Sequence, residues 1–236
     1  MSHEDVAIVV PWRYSSGRAD IWSFVAQHLA TRYPTIPVIQ SPCADGPFNR
    51  AECIVNGARQ SDAQIIVAYD ADVVLNASLD AAIDRVRASQ GWAVPHWHMY
   101  RLTPEATVQA LLGGSLGPNM AVEQKPYKQF PTAAVVVMDR RLLLSVPPDV
   151  RFRGWGQEDE AWGAALKLLH GPHWQGSSDL FHLWHPPAER LDRRWGNEEG
   201  KALFGRYDHF ARDAKAMRAL VDESKALWYD PANDNM

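Results

Sequence analysis

Short, unbroken apolar runs alternate along the chain with longer stretches in which apolar residues recur every three or four positions. Residues 6–10 (Val-Ala-Ile-Val-Val) form the first run. A run of that length, bounded by polar residues, predicts a strand buried on both faces. Residues 19–32 follow with Ile21, Phe24, Val25, His28 and Leu29 on one helical face. The alternation continues with a strand at 36–39, a helix at 49–59, a strand at 65–68 and a helix at 78–88. In that last helix Leu79, Ala82, Ile83 and Val86 share a face. Continuous apolar strands between amphipathic helices predict an α/β architecture, a mostly parallel central sheet with helices on both faces. Ligands gather at the carboxyl ends of such strands, and residues 11–17 and 70–72 lie at two of them.

The pattern weakens from about 91 to 130. Trp92, His96, Trp97, His98 and Tyr100 are followed by Gly113-Gly114 and Gly117-Pro118, which predicts an irregular, partly mobile insert. Regularity returns with a strand at 133–138 and a short helix at 140–146. A helix then starts at Glu158 and buries Trp162, Ala165, Leu166 and Leu169. A strand at 180–184 and a mostly helical, charged stretch from 198 to about 228 complete the reading. No repeat, low-complexity tract or linker divides the chain, so 1–236 is expected to be one domain. Its expected parts are an N-terminal half (1–90), a second half (91–187) and a C-terminal helical extension (188–236).

Composition narrows the function. A chain of 236 residues, 46% hydrophobic, is long enough for a substantial core. The net charge of −4 gives no whole-molecule field that would draw in nucleic acid or an anionic membrane, and counts against a nucleic-acid partner. Cys43 and Cys53 are the two cysteines, too few for a disulfide framework. No apolar stretch approaches the ~18 residues of a membrane span, and the polar N-terminus has no signal-peptide pattern. These features predict a soluble, cytoplasmic protein.

Four segments carry candidate chemistry. Asp70-Ala71-Asp72 ends an apolar run, and two carboxylates so placed can hold a divalent cation and a ribose hydroxyl or water. A strand-end turn would also favour Asp there. His182 and His185, three apart, can reach one ion, and mixed Asp and His donors suit Mn²⁺ (or Mg²⁺); packing imidazoles are the plainer alternative. In Gly154-Trp155-Gly156-Gln157-Glu158-Asp159, glycines flanking Trp155 allow a tight turn that presents an indole face. Glu158 and Asp159 then sit where a helix N-terminus favours acids, and one of them can take a proton from an acceptor hydroxyl. Arg13 in Pro11-Trp12-Arg13, and Arg50 in Phe48-Asn49-Arg50-Ala51, are candidate phosphate partners; Asn49 is also a plausible helix cap.

This series, in this order, resembles the inverting, metal-dependent glycosyltransferases of the GT-A (Rossmann-like) fold. It is most similar to the β-1,4-galactosyltransferase catalytic region and its bacterial and phage family 2-like relatives. The resemblance spans roughly residues 6–187. It implies that Asp72, His185 and His182 bind Mn²⁺ and that Asp70 and Ala71 meet the nucleotide. Pro11, Arg13, Phe48 and Arg50 would line the nucleotide pocket. Trp155 and Gly156 would lie near the sugars, Glu158 would hold substrates, and Asp159 would be the base. The implied reaction moves a sugar, by default from a UDP-hexose, to a hydroxyl of a glycan, a protein or a modified nucleobase. Two other readings remain at this level: an inactive sugar- or nucleotide-binding module, and a nucleotidyltransferase. The family's membrane anchor and disulfide-permissive setting have no counterpart here, and 91–130, where the acceptor would be chosen, has no recognisable match.

Overall fold

The computed structural model describes residues 3–128, 130–192 and 194–228. The N-terminal elements are β1 (Val6–Pro11), α1 (Ala19–Arg32), β2 (Val38–Ser41), α2 (Arg50–Gln60), β3 (Ile65–Tyr69), β4 (Val73–Leu75) and α3 (Asp80–Ser89). They are followed by β5 (Trp92–Arg101), α4 (Pro104–Leu111), β6 (Val135–Asp139), α5 (Arg140–Ser145), α6 (Glu158–Leu169), β7 (Trp174–His182), α7 (Glu198–His209) and α8 (Ala214–Lys225).

Among the described residues these strands form one seven-stranded sheet in the order β2-β1-β3-β6-β5-β7-β4. β2, β1 and β3 are mutually parallel, β6 runs against both β3 and β5, β7 is parallel to β5, and β4 is antiparallel to β7. Five strands therefore point one way, and β6 and β4 the other. The side-chain period of two splits each central strand between two cores. Val6, Ile8 and Val10 of β1 pack with Val25 and Leu29 of α1 and Ile83 of α3. Ala7 and Val9 face the opposite layer, with Ile54 of α2, Trp162 and Leu166 of α6, and Leu220 of α8. Helices thus cover both faces, as the apolar runs require. Gly57 sits where α2 meets β1, and a Cβ there would come within 2.3 Å of Val9.

The sheet order bears directly on the ligand site. β3 and β4 are separated by three residues, Asp70, Ala71 and Asp72, yet three other strands lie between them in the sheet. Four strand spacings in a flat sheet come to about 19 Å, whereas four residues of extended chain reach about 14 Å. The sheet must curl to bring its β4 edge back to the end of β3.

Several elements depart from the sequence expectation. Residues 91–130 are irregular only in their second half, after Leu111. They hold β5, the longest strand, and α4. The ladder of β5 with β7 shifts register between Val94 and His96 and again between His96 and His98. Each bulge resets the alternation of faces, so no single period shows in the sequence. β4 was not anticipated, since three residues carry no period. β7 begins at Trp174 rather than 180, through the polar run Gln175-Gly176-Ser177-Ser178-Asp179, and β2 starts two residues later than expected.

The N-terminus of α2 shows how the functional segments are held. The Asn49 side chain accepts a hydrogen bond from Glu52 N (3.0 Å) and its Nδ2 donates to Val150 O (2.7 Å). Gly154 N donates to Phe48 O (2.7 Å). The two most distinctive sequence motifs, about a hundred residues apart, are therefore clasped together. Replacing Asn49 by Ala removes the cap and strips a partner from Val150 O, and is expected to cost about 2–3 kcal/mol in chemical denaturation.

Candidate active site

β1 and β3 are parallel neighbours, so the segments leaving their carboxyl ends, 12–18 and 70–72, face one another. Between them lies a cavity of about 220 Å³ lined by residues 11–15, Arg18, Phe48, Arg50 and residues 70–72. The 70–72 bridge is fixed at both ends. Asp70 N donates to Ala134 O (2.9 Å), Leu75 N donates to the Tyr69 hydroxyl (3.0 Å), and Asp72 O accepts from Leu183 N (2.8 Å). That last bond seats the segment following β7 beside Asp72.

The consequence is a three-residue ligand set. Asp72, His182 and His185 each offer one atom, and these atoms lie within 4.8 Å of one another. His185 Nε2 is 3.1 Å from Asp72 Oδ2, and His182 Nε2 is 3.9 Å from Oδ1. His185 Nδ1 lies 2.8 Å from Pro186 O. With Nδ1–H donating there, Nε2 turns its lone pair toward the carboxylate, an arrangement that calls for a shared proton or cation. Neighbouring ligands of an octahedral ion with bonds near 2.1 Å stand about 3 Å apart; the His185–Asp72 pair has that spacing, and His182 stands about 1 Å farther out. Burial pushes the His182 imidazole down to about 4 against the attraction of Asp72, leaving it neutral and able to coordinate. Burial would raise the Asp72 carboxyl, but His182, His185 and Arg18 outweigh it and hold the group well below the usual range.

A second cluster adjoins the first. Arg50 Nε donates to Asp70 Oδ1 (2.7 Å) and its Nη2 donates to Thr132 O (3.1 Å). The Thr132 hydroxyl donates to Asp159 O at the start of α6. Arg50 thus stands between Asp70 on one side and Glu158 and Asp159 on the other, and all three carboxylates act on it. Burial and the neighbouring Asp159 charge push Glu158 up to about 8, and burial pushes Asp159 up to about 6 against the pull of Arg50. Asp70 is also raised by burial, with Arg50 opposing.

The expected residues fall into two groups. Pro11, Arg13, Phe48, Arg50, Asp70, Ala71 and Asp72 line the cavity. Arg13 is turned aside, its guanidinium donating to Ala44 O, Gly46 O and Cys43 Sγ. Trp155 and Gly156 are outside the lining, and the Trp155 ring is covered by the Arg190 guanidinium at 5.1 Å. Gly154 has φ +74, the left-handed turn for which glycine suits. Sequence reasoning overlooked two residues. Thr132 carries no signal outside its three-dimensional bridge. Arg18 contacts Asp72 Oδ2 through Nη2, whereas its sequence setting offers only a polar loop.

No family model matches the chain, and no curated protein does. Among solved structures, GalNAc-T7 with UDP, GalNAc and Mn²⁺ matches over 94% of this chain and 49% of that one, at TM-score 0.50 and 10% identity. The fold is that of the GT-A glycosyltransferases. This chain spans about half the length of that GT-A structure. The catalytic domain of Drosophila β1,4-galactosyltransferase 7 with xylobiose matches at TM-score 0.46 and 16% identity, over 81% of this chain and 67% of that one. The bifunctional IspDF of Campylobacter jejuni matches at TM-score 0.44 and 14% identity, over 74% and 50%. Among the described residues of this GT-A fold, no helix is long and apolar enough to cross a membrane.

Proposed function

We propose that the protein is a divalent-metal-dependent glycosyltransferase that moves a sugar, with inversion, from a nucleoside-diphosphate sugar to an acceptor hydroxyl. One observation carries the reading. The Asp72–His182–His185 ligand set stands at a cavity lined by three arginines, two of which, Arg18 and Arg50, each keep a buried N–H without a hydrogen-bond partner (Arg18 Nε and Arg50 Nη1). Buried cationic donors left unmatched call for an anion. A cation site and an anion site side by side suit a metal-bound diphosphate. Mn²⁺ and UDP, which GalNAc-T7 of the same fold holds, are the first candidates.

In this mechanism Asp72, His182 and His185 would hold the ion, which when bound would supply positive charge for the leaving diphosphate. Arg18 and Arg50 bind phosphate oxygens as the glycosidic bond breaks. Asp70 orients Arg50, while Pro11, Arg13 and Phe48 border the nucleoside. Asp159 takes the proton of the attacking hydroxyl, and Glu158 holds the substrates beside Trp155. All cavity-lining residues fall between 11 and 72, which supports assigning 1–90 to the nucleotide and 91–187 to acceptor and catalysis.

The test is release of nucleoside diphosphate from a panel of UDP-, GDP- and TDP-sugars, with Mn²⁺ and with chelator. One donor is expected to be slowly hydrolysed with Mn²⁺, and chelation to abolish the release. Asp72→Ala is expected to lower it about 10²–10³-fold, the worth of several kcal/mol of charge stabilisation. Pyrophosphate as product would favour nucleotidyl transfer instead. Binding of donors with no turnover on any acceptor would point to an inactive binding module.

A further inference from the structure

Asp72 is 5% exposed, and a buried carboxylate requires a counter-charge. Arg18 stands in that place, with Nη2 against the same Oδ2 that faces His185. Arg18 therefore stands on an oxygen that the ligand set would offer to a divalent cation. Two cations on one carboxylate oxygen repel strongly, so the two are alternatives.

Arg18 is also built to leave. It ends a three-residue 3-10 turn (Ser16–Arg18) in a loop whose Tyr14 is 73% exposed. Its side chain is one-third exposed, whereas that of Arg50 is 11% exposed and tied to both Asp70 and Thr132. Its Nε has no partner where it rests, and its side chain already lines the cavity.

We propose that Arg18 is a tethered counter-cation for Asp72 that a divalent ion displaces and that then turns to the phosphates of the nucleotide. The inference rests on the function proposed above. Metal arriving alone must break the Arg18–Asp72 pair. A diphosphate arriving with it gives the displaced guanidinium a new partner, so each ligand favours the other.

Titration calorimetry on the full chain tests this, first with Mn²⁺ alone and then with UDP at saturating Mn²⁺. Arg18→Gln is expected to bind Mn²⁺ alone about tenfold more tightly than wild type, and UDP about tenfold less tightly. The opposite signs matter, because loss of a merely structural prop weakens both. Arg18→Lys, which keeps the charge but loses the planar fork, is expected to tighten Mn²⁺ binding about threefold. It serves if the Gln variant does not fold. Mn²⁺ binding that is unchanged or weaker in both Arg18 variants, yet lost in Asp72→Ala, overturns the inference while the metal site stands. No Mn²⁺ binding by any of the proteins, or binding untouched by Asp72→Ala, overturns both.

Discussion

Asp159→Asn is expected to lower sugar transfer about 10³-fold while leaving Mn²⁺ and UDP affinities within about threefold of wild type. Asp159 is outside the cavity lining, so its loss should not reach the nucleotide. Its backbone is held by Thr132, and its Oδ1 accepts from Glu160 N (2.8 Å), so Asn keeps the geometry and loses the basicity. Burial raises both members of the Glu158–Asp159 pair, and Glu158 further, because Asp159 repels its charge. The pair thus keeps a proton on Glu158 and leaves Asp159 free to accept one. A base works only when ionised, so wild-type transfer should decline as pH falls through about 6. Asp159→Asn should lack that limb. Equal loss of nucleotide binding and turnover would remove Asp159 from the base role.

The largest stability effect belongs to Arg50→Met. Arg50 is the shared counter-ion of Asp70, Glu158 and Asp159, and removing one partner of a buried ionic cluster costs about 3–5 kcal/mol. For a chain of this size that lowers the melting temperature by roughly 6–20 °C. The pH dependence identifies the cause. Without Arg50 the three carboxylates are raised further above their unfolded values, so the folded variant binds more protons than the unfolded chain. Its stability then falls as pH rises out of the ordinary carboxylate range, and the gap to wild type narrows on acidification. Denaturation at pH 5 and pH 8 measures that gap, and an equal gap at both would assign Arg50 a packing role.

The parts of the fold written in one unbroken period were legible in the sequence. β1, α1, α2 and β3 were read within two residues because their burial is uniform or one-sided. β5 escaped because its two bulges reset the phase, and because Trp97 and His98 lie exposed in a strand whose first five residues are buried. The site divides in the same way. Asp70–Asp72, His182–His185 and Gly154–Asp159 stand out as clusters of reactive residue types, and the fold brings each to the same end of the sheet. Arg18 and Thr132 act through partners 54 and 27 residues away, and nothing beside them in sequence marks those partners. Trp155 has the Arg190 guanidinium against its ring, a contact from outside the motif that no local pattern announces.

The curl of the sheet between β3 and β4 also sets an order of events on the ribosome. Asp72 is made early, but its imidazole partners lie 110 and 113 residues later, at the end of β7 and just beyond it. β4 has only β7 to pair with, so the bridge carrying Asp70 and Asp72 has no anchor on its far side until residue 182 has emerged. A divalent ion held by these three residues would therefore have no complete site while roughly the first 180 residues are being made. The donors meet only when β7 has taken its place between β5 and β4, with α7 and α8 still to be added to the core.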